Sequence, residues 1–227
     1  FVGRICTDVA FEGEMGVGAG GRANLQALRL EDASGHRVAL DVSLVDGYAV
    51  FPGQIVAVEG VNAYGNCVLA KRIYSAAPAP LPVTSKVQLA KEQSKLGAEA
   101  PMSVWTACGP FTTSSGFGFE PLRDLMEKAK VQLPDVLVLC GPFVDHAHPL
   151  LSKEKLPSLP CTTDSLFADA VQIVAEAVKN TYTQVVLIPA LSDIHHDRVF
   201  PQPAFDLKAA GLADLVDQQQ VHCFPNP

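Results

Sequence analysis

Two copies of the motif Cys-Gly-Pro-Phe stand where catalytic groups would be expected in this chain. One copy begins at Cys108 and the other at Cys140, and each follows a short apolar run typical of a buried strand. In an open α/β sheet, functional side chains usually lie at the carboxyl ends of the strands. Pro110 and Pro142 supply no acid, base or metal ligand there. The pattern therefore favours a fold kept for binding over one kept for catalysis.

The first copy also invites comparison with the thioredoxin redox turn, Trp-x-x-Cys-Gly-Pro-Cys, because Trp105 precedes Cys108 by three residues. That chemistry needs two thiols, one to attack a disulfide and one to resolve the mixed disulfide. Phe111 stands where the second cysteine would be. We expect Cys108 to be a structural residue at a strand end.

The densest cluster of possible metal ligands runs from Ser192 to Asp197 and includes His195 and His196. Imidazole and carboxylate groups can bind zinc, manganese or iron. The two histidines are adjacent, however, so their rings need not point to one centre. Hydrogen bonding within a loop is the favoured interpretation. The same interpretation is favoured for the polar residues after the second motif, which are Asp145, His146 and His148.

A glycine-rich stretch, Gly16 to Gly21, matches the dinucleotide fingerprint G-x-G-x-x-G, and Asp41 follows it at the expected spacing. The residues before it, 12–15, are polar and would place two carboxylates beside a bound pyrophosphate. We therefore expect a flexible hairpin loop at residues 13–21 rather than a nucleotide site.

Composition excludes several classes of function. Of the 227 residues, 48% are hydrophobic and 18% are charged, which is enough apolar material for a substantial core. The net charge of −7 disfavours unaided binding to a DNA backbone. The six cysteines are scattered without a C-x-x-C pair, which favours a reducing compartment such as the cytosol or nucleus. No apolar run is long enough to cross a bilayer.

Residues 1–75 predict a small all-β domain. Short apolar runs are separated by turn signals, among them Ala33-Ser34-Gly35 and Pro52-Gly53. The strands are expected at 1–5, 25–30, 37–42, 54–61 and 67–74. Five strands in so short a segment predict a closed barrel of the OB type. A stiff proline-rich linker is expected at 76–100, with a solvated loop or a loose helix at 84–99.

Residues 101–227 predict an α/β domain. Strands are expected at 103–107, 135–140 and 184–188, with a helix that begins near Pro121 and another at 164–179. This alternation predicts a parallel sheet with right-handed crossovers. The remaining residues, 189–227, read as loop. Because three strands make a thin sheet, we expect the domain to continue past residue 227.

Several stretches together resemble the B subunits of eukaryotic replicative DNA polymerases, and the alpha type more than the delta or epsilon types. The resemblance implies an OB fold joined to a calcineurin-like phosphoesterase domain, which is an all-β plus α/β chain. The stretches that carry it are 51–54, 59–62, 107–114, 141–145, 192–196 and 199–203.

The resemblance also implies a degenerate metal site. Active phosphoesterases of this fold carry D-x-H, G-D-x-x-D and G-N-H-[DE] at three strand ends, and these ligands hold two metal ions. Only Asp145 and Asp193 remain at the matching places, and two isolated carboxylates cannot hold a dinuclear centre. The resemblance thus implies no catalytic residue, no bound metal and no cofactor. The positions of the degenerate site are Cys108, Pro110, Pro142, Asp145, Leu191, Ser192 and Asp193.

The function implied is that of a non-catalytic accessory subunit in the nucleus. It would bind the C-terminal domain of the polymerase alpha catalytic subunit and associate with the primase subunits indirectly. It would contact DNA only through the complex, and no membrane association is expected. One alternative is an active metal-dependent phosphoesterase or nuclease that uses Asp145, Asp193, His195 and His196. A second is single-stranded DNA binding by the barrel. Its aromatic residues would be Phe1, Phe11, Tyr48, Phe51, Tyr64 and Tyr74.

Overall fold

The computed structural model describes residues 1–7, 28–75, 83–96, 101–151 and 161–226. They form two compact units. The first contains Phe1–Pro78 and Arg198–Pro201, and the second contains Ala79–Asp197 and Gln202–Asn226. The glycine-rich stretch at 13–21 lies outside the described residues, so the hairpin interpretation of it stays a prediction.

The first unit is a closed barrel of five strands in the order β1-β2-β3-β5-β4. Strands β3 and β5 pair in parallel, while the other neighbours are antiparallel and β1 pairs with β4 to close the ring. The predicted barrel is confirmed. The strands are β1 Val2–Thr7, β2 Leu28–Glu31, β3 Arg37–Asp41, β4 Ile55–Val61 and β5 Cys67–Ser75.

The barrel core follows from alternation along each strand. Side chains that point inward, such as Ile5, Val56 and Val68, are almost completely buried, whereas their neighbours are exposed or half-buried. Gly60 lies at a break in the β4–β5 register, where a Cβ atom would collide with the backbone of Leu69. Glycine is needed there because the two strands approach too closely for any side chain.

The second unit contains a parallel sheet of four strands in the order β6-β7-β8-β9. The first three, β6 Val104–Cys108, β7 Val136–Cys140 and β8 Gln184–Ile188, lie where the sequence predicted strands. The fourth, β9 Val221–Cys223, is a correction, because this region was expected to be loop. Three residues are too few to show a strand period, and β9 is held by its pairing with β8.

Three α-helices are described: α1 Lys86–Leu96, α2 Glu120–Gln132 and α3 Thr163–Val178. Helix α1 lies in the predicted linker, and its described side chains are all exposed. Of the two structures expected at 84–99, a loop or a loose helix, the helix is the one observed. Helices α2 and α3 pack against each other. None of the described helices has the length and apolar character that crossing a bilayer requires.

The core of the second unit lies between one face of the sheet and helices α2 and α3. On that face Leu137, Leu139, Val185 and Leu187 are completely buried. The opposite face is half-buried on β7 and β8, and it is exposed along β6. The alternation follows from the period of two in a strand, which sends successive side chains to opposite faces.

Candidate functional site

The carboxyl ends of three strands meet at one edge of the sheet in the second unit. Cys108 ends β6 and is in register with Cys140, which ends β7, and Cys140 is in register with Ile188 at the end of β8. Hydrogen bonds continue past these ends, from Gly109 N to Cys140 O (2.9 Å) and from Gly141 N to Ile188 O (2.8 Å). Of the positions of the predicted degenerate site, Cys108 ends β6 and the others lie in the loops that leave this edge.

Asp193 is completely buried, and its carboxylate is engaged by the backbone. Oδ1 accepts hydrogen bonds from the N–H groups of Phe143 (2.5 Å) and Val144 (3.1 Å), and Oδ2 accepts one from Ala190 (2.9 Å). These bonds join the loop after β7 to the loop after β8. A cation beside this carboxylate would compete with three N–H dipoles whose positive ends already face it. Asp193 is therefore a structural brace.

The ionisation of Asp193 reflects two opposed effects. Burial raises the pKa of its carboxyl group, while the three backbone donors oppose that rise. The nearest imidazole nitrogen, His195 Nδ1, is 4.0 Å from Oδ1. The carboxyl group is thus surrounded by protein groups and not by solvent.

Asp145, the other carboxylate of the predicted degenerate site, accepts a hydrogen bond within its own loop. Its Oδ1 accepts a hydrogen bond from Ala147 N (3.0 Å) and lies 3.4 Å from His146 Nδ1. The backbones of Asp145 and Asp193 form an isolated antiparallel bridge. The fold thus brings the backbones of the two residues together, and each carboxylate accepts hydrogen bonds from backbone N–H groups.

Gly109 and Gly141, the glycines of the two repeated motifs, permit close approach of these loops. The peptide bond from each glycine to the following proline is cis. A Cβ atom on Gly109 would overlap the backbone of Pro142, and one on Gly141 would overlap the carboxylate of Asp193 and the backbone of Ala190. The loops at this edge of the sheet are therefore closely packed around the two glycines.

The histidines near this edge make separate contacts. The Nε2 atom of His148 is 2.7 Å from Thr113 O while its Nδ1 accepts from Leu150 N, so Nε2 carries the proton. His196 Nε2 is 2.8 Å from Pro203 O. These bonds support the interpretation that His148 and His196 are loop residues.

His195 differs because its imidazole has an aromatic environment. The ring stacks on Phe167 with centroids 4.1 Å apart and on Phe205 at 5.5 Å. Within the described part of the chain neither ring nitrogen has a hydrogen-bond partner. Burial, and secondarily the charge of His196, lowers the pKa of His195 to about 4. The ring is therefore neutral near pH 7 and packs as an aromatic residue.

His195 and Phe205 also line a cavity of about 720 Å³ beside this edge. Its wall includes three carboxylates, Asp164, Asp197 and Asp206, and none of its described lining residues is lysine or arginine. A phosphate group would be repelled here in the absence of metal ions. Across the described residues, no group of three or more histidine, cysteine, aspartate or glutamate side chains is arranged to hold an ion.

Sequence reasoning missed the role of Gln202 in this region. Its side chain is almost completely buried and donates hydrogen bonds to Ala190 O (3.0 Å) and Asp197 O (2.9 Å). Its backbone pairs with Asn226 in both directions. In sequence this glutamine is one residue of the stretch 199–203, and a lone glutamine gives no signal of such a role.

The barrel surface was the alternative candidate for nucleic-acid contact. Arg4 and Arg37 both pair with Glu31, and the Tyr74 hydroxyl donates to Glu59 (2.9 Å). These arginines are thus partly neutralised by a carboxylate that lies between them. This arrangement disfavours a basic groove on this side of the barrel.

The two units place the chain in the class of proteins that combine an OB-type barrel with a parallel α/β domain. Comparison with known proteins narrows this class. Residues 1–76 match the family of OB domains from the B subunit of DNA polymerase alpha, and residues 104–227 match the family of B subunits of DNA polymerases alpha and epsilon. This chain belongs to the B-subunit family of DNA polymerases alpha and epsilon.

Individual relatives agree with that assignment. The chain is similar to the B subunit of DNA polymerase alpha from Rattus norvegicus, with 34% identity over 85% of this chain and 31% of the relative. For the Bos taurus protein of the same name the identity is 32% over 96% of this chain and 35% of the relative. For that of Schizosaccharomyces pombe it is 33% over 92% and 36%. The chain spans about a third of the length of these curated relatives.

Proposed function

We propose that this chain is the core of a non-catalytic accessory subunit of the DNA polymerase alpha–primase complex. It binds the C-terminal domain of the catalytic subunit, reaches primase indirectly and contacts DNA through the complex. It acts in the nucleus as a scaffold for the initiation of replication. Family membership and similarity to proteins named as the B subunit of DNA polymerase alpha support the assignment.

The proposal that the chain is non-catalytic rests on the hydrogen bonds of Asp193, whose carboxylate is occupied by backbone N–H groups. A phosphoesterase of the calcineurin-like class needs about half a dozen oxygen and nitrogen ligands around two ions. Here one surviving carboxylate accepts three backbone N–H groups, and the other, Asp145, caps its own turn. We therefore propose that the second unit is a phosphoesterase-like domain with a degenerate metal site.

Co-purification tests the partner. The 227-residue chain is mixed with the isolated C-terminal domain of the polymerase alpha catalytic subunit and passed over a size-exclusion column. The same domain from polymerase epsilon is the matched control, because the family covers both types. We expect co-elution with the alpha domain only. Separate elution from the alpha domain contradicts the proposal.

A second experiment tests the absence of catalysis. Purified chain is incubated with manganese and a chromogenic phosphodiester, and bound metal is measured after dialysis. We expect neither turnover nor stoichiometric metal. Manganese-dependent turnover together with stoichiometric bound metal would support the enzyme instead. In a third assay, a salt-sensitive anisotropy change with a single-stranded oligonucleotide would support direct DNA binding by the barrel.

A further inference from the structure

The two repeated motifs place two cysteine thiols side by side. Cys108 and Cys140 are the last residues of neighbouring parallel strands and are partners in the β6–β7 register. Register partners in adjacent strands share a face of the sheet, which here is the face opposite helices α2 and α3. Cys108 is exposed and Cys140 is half-buried, so small reagents can reach the pair.

The distance between the strands suits a covalent link. Neighbouring strands lie about 4.8 Å apart. A disulfide joins residues whose Cα atoms are separated by about 4.4–6.8 Å. Burial, and secondarily the neighbouring Cys108, raises the pKa of Cys140.

We propose that Cys108 and Cys140 are a dithiol–disulfide pair that a peroxide oxidises at this edge of the sheet. The first motif has Phe111 where a second cysteine would stand. The second thiol comes instead from Cys140, on the neighbouring strand. The proposal concerns a modification site and does not depend on the partner proposed above.

The reaction has two steps. The Cys108 thiolate attacks one oxygen of hydrogen peroxide, which breaks the O–O bond, releases hydroxide and leaves a sulfenic acid on Cys108. The Cys140 sulfur then attacks the Cys108 sulfur, forms the S–S bond and displaces the hydroxyl group as water. Two thiols and one peroxide thus give one disulfide and two waters. The second step accelerates as pH rises, because the thiolate of Cys140 is the nucleophile, and the raised pKa of Cys140 moves this acceleration to higher pH.

The test uses the full 227-residue chain with a small excess of hydrogen peroxide. Remaining thiols are alkylated, and the intact protein and its peptides are weighed. We expect a mass loss of two hydrogens, two fewer alkylated thiols and a cross-linked peptide pair that contains Cys108 and Cys140. Dithiothreitol should restore full alkylation.

Cys108→Ser and Cys140→Ser should each reduce the cross-linked product to background. Cys223→Ser is the matched control, because Cys223 ends a strand of the same sheet but is in register with Leu187 rather than a cysteine. It should leave the product unchanged. Oxidation of Cys108 to a sulfinic acid with Cys140 still alkylated would overturn the proposal. So would a cross-link that joins any other pair.

Discussion

Asp193 is completely buried, and every hydrogen bond that its carboxylate accepts comes from the backbone. A carboxylate with three N–H donors is hard to replace, because its two oxygens face donors on two different loops. The single side chain thus fixes the loop after β7 against the loop after β8. At the scale of the residue, the hydrogen bonds of Asp193 stabilise the loops at this edge of the sheet.

Asp193→Asn should therefore destabilise the second unit. The amide NH2 of asparagine would face the N–H of Ala190 or those of Phe143 and Val144, which leaves buried donors without acceptors. We expect a loss of about 2 kcal/mol in the free energy of unfolding, since each unsatisfied buried group costs about 1–3 kcal/mol. Urea denaturation measures it.

Asp145→Asn is the control for that variant, because the Asp145 side chain is partly exposed and asparagine can also cap a turn. It should cost less than about 0.5 kcal/mol. Equal losses in the two variants would contradict the brace assigned to Asp193.

The neutral imidazole of His195 predicts a dependence of stability on pH. Its pKa in the folded protein is about 4, below the usual value of 6.5, because burial disfavours the charged ring. The unfolded chain therefore binds a proton more readily. The contribution of His195 to the free energy of unfolding is present above pH 6.5 and is lost as pH falls towards about 4. We expect a loss of about 2 kcal/mol between about pH 7 and pH 4.5.

His195→Phe keeps the stacking on Phe167 and Phe205 and removes the titrating group. Denaturation of both proteins at the two pH values isolates the contribution of His195, since Asp193 and His196 remain in both. The native protein should lose more stability than the variant on acidification. A parallel loss in both proteins would show that the ring does not titrate as assigned.

At the scale of elements, the regular strands and helices follow from sequence patterns. Short apolar runs between turn signals predicted the barrel strands, and the alternation of strand and helix predicted β6, β7 and β8. The short strand β9 was not predicted, because Val221–Cys223 becomes a strand only through pairing with β8. Long-range pairing of this kind leaves no local periodicity.

The site was harder to predict than the strands. Sequence identified the strand ends and the prolines that follow two of them, Pro110 and Pro142. It could not show which donors Asp193 would meet, since Phe143 and Ala190 are distant from each other in the chain. It also could not show that Cys108 and Cys140 would be register partners, which depends on the alignment of two strands.

Strand β8 provides a matched test of how the sheet is layered. Val185 is completely buried on the face that packs under the helices, whereas Val186 is only half-buried on the opposite face. Val185→Ala should cost about 2 kcal/mol, from the lost burial and the cavity left behind, and Val186→Ala about half as much or less. Chemical denaturation compares them. Equal costs would contradict a core on one face only.

At the scale of the molecule, chain order and spatial unit do not coincide. Residues Arg198–Pro201 belong to the barrel unit, although in sequence they lie between strands β8 and β9 of the second unit. The backbone of Phe200 donates to Gly53 O (2.7 Å) and accepts from Ile55 N (2.7 Å). The Phe200 ring packs edge-on against Phe51, with centroids 5.1 Å apart.

Phe200→Ala should therefore loosen the barrel unit. The loss of the Phe51–Phe200 contact, worth about 0.5–1.5 kcal/mol beyond the area it buries, should speed hydrogen exchange at Ile55 N by up to about tenfold. Amide exchange followed by mass spectrometry measures it. Phe224→Ala is the matched control, because Phe224 is exposed and belongs to the second unit. If both variants leave exchange at Ile55 unchanged, residues 198–201 do not stabilise the barrel, and the first unit is complete without them.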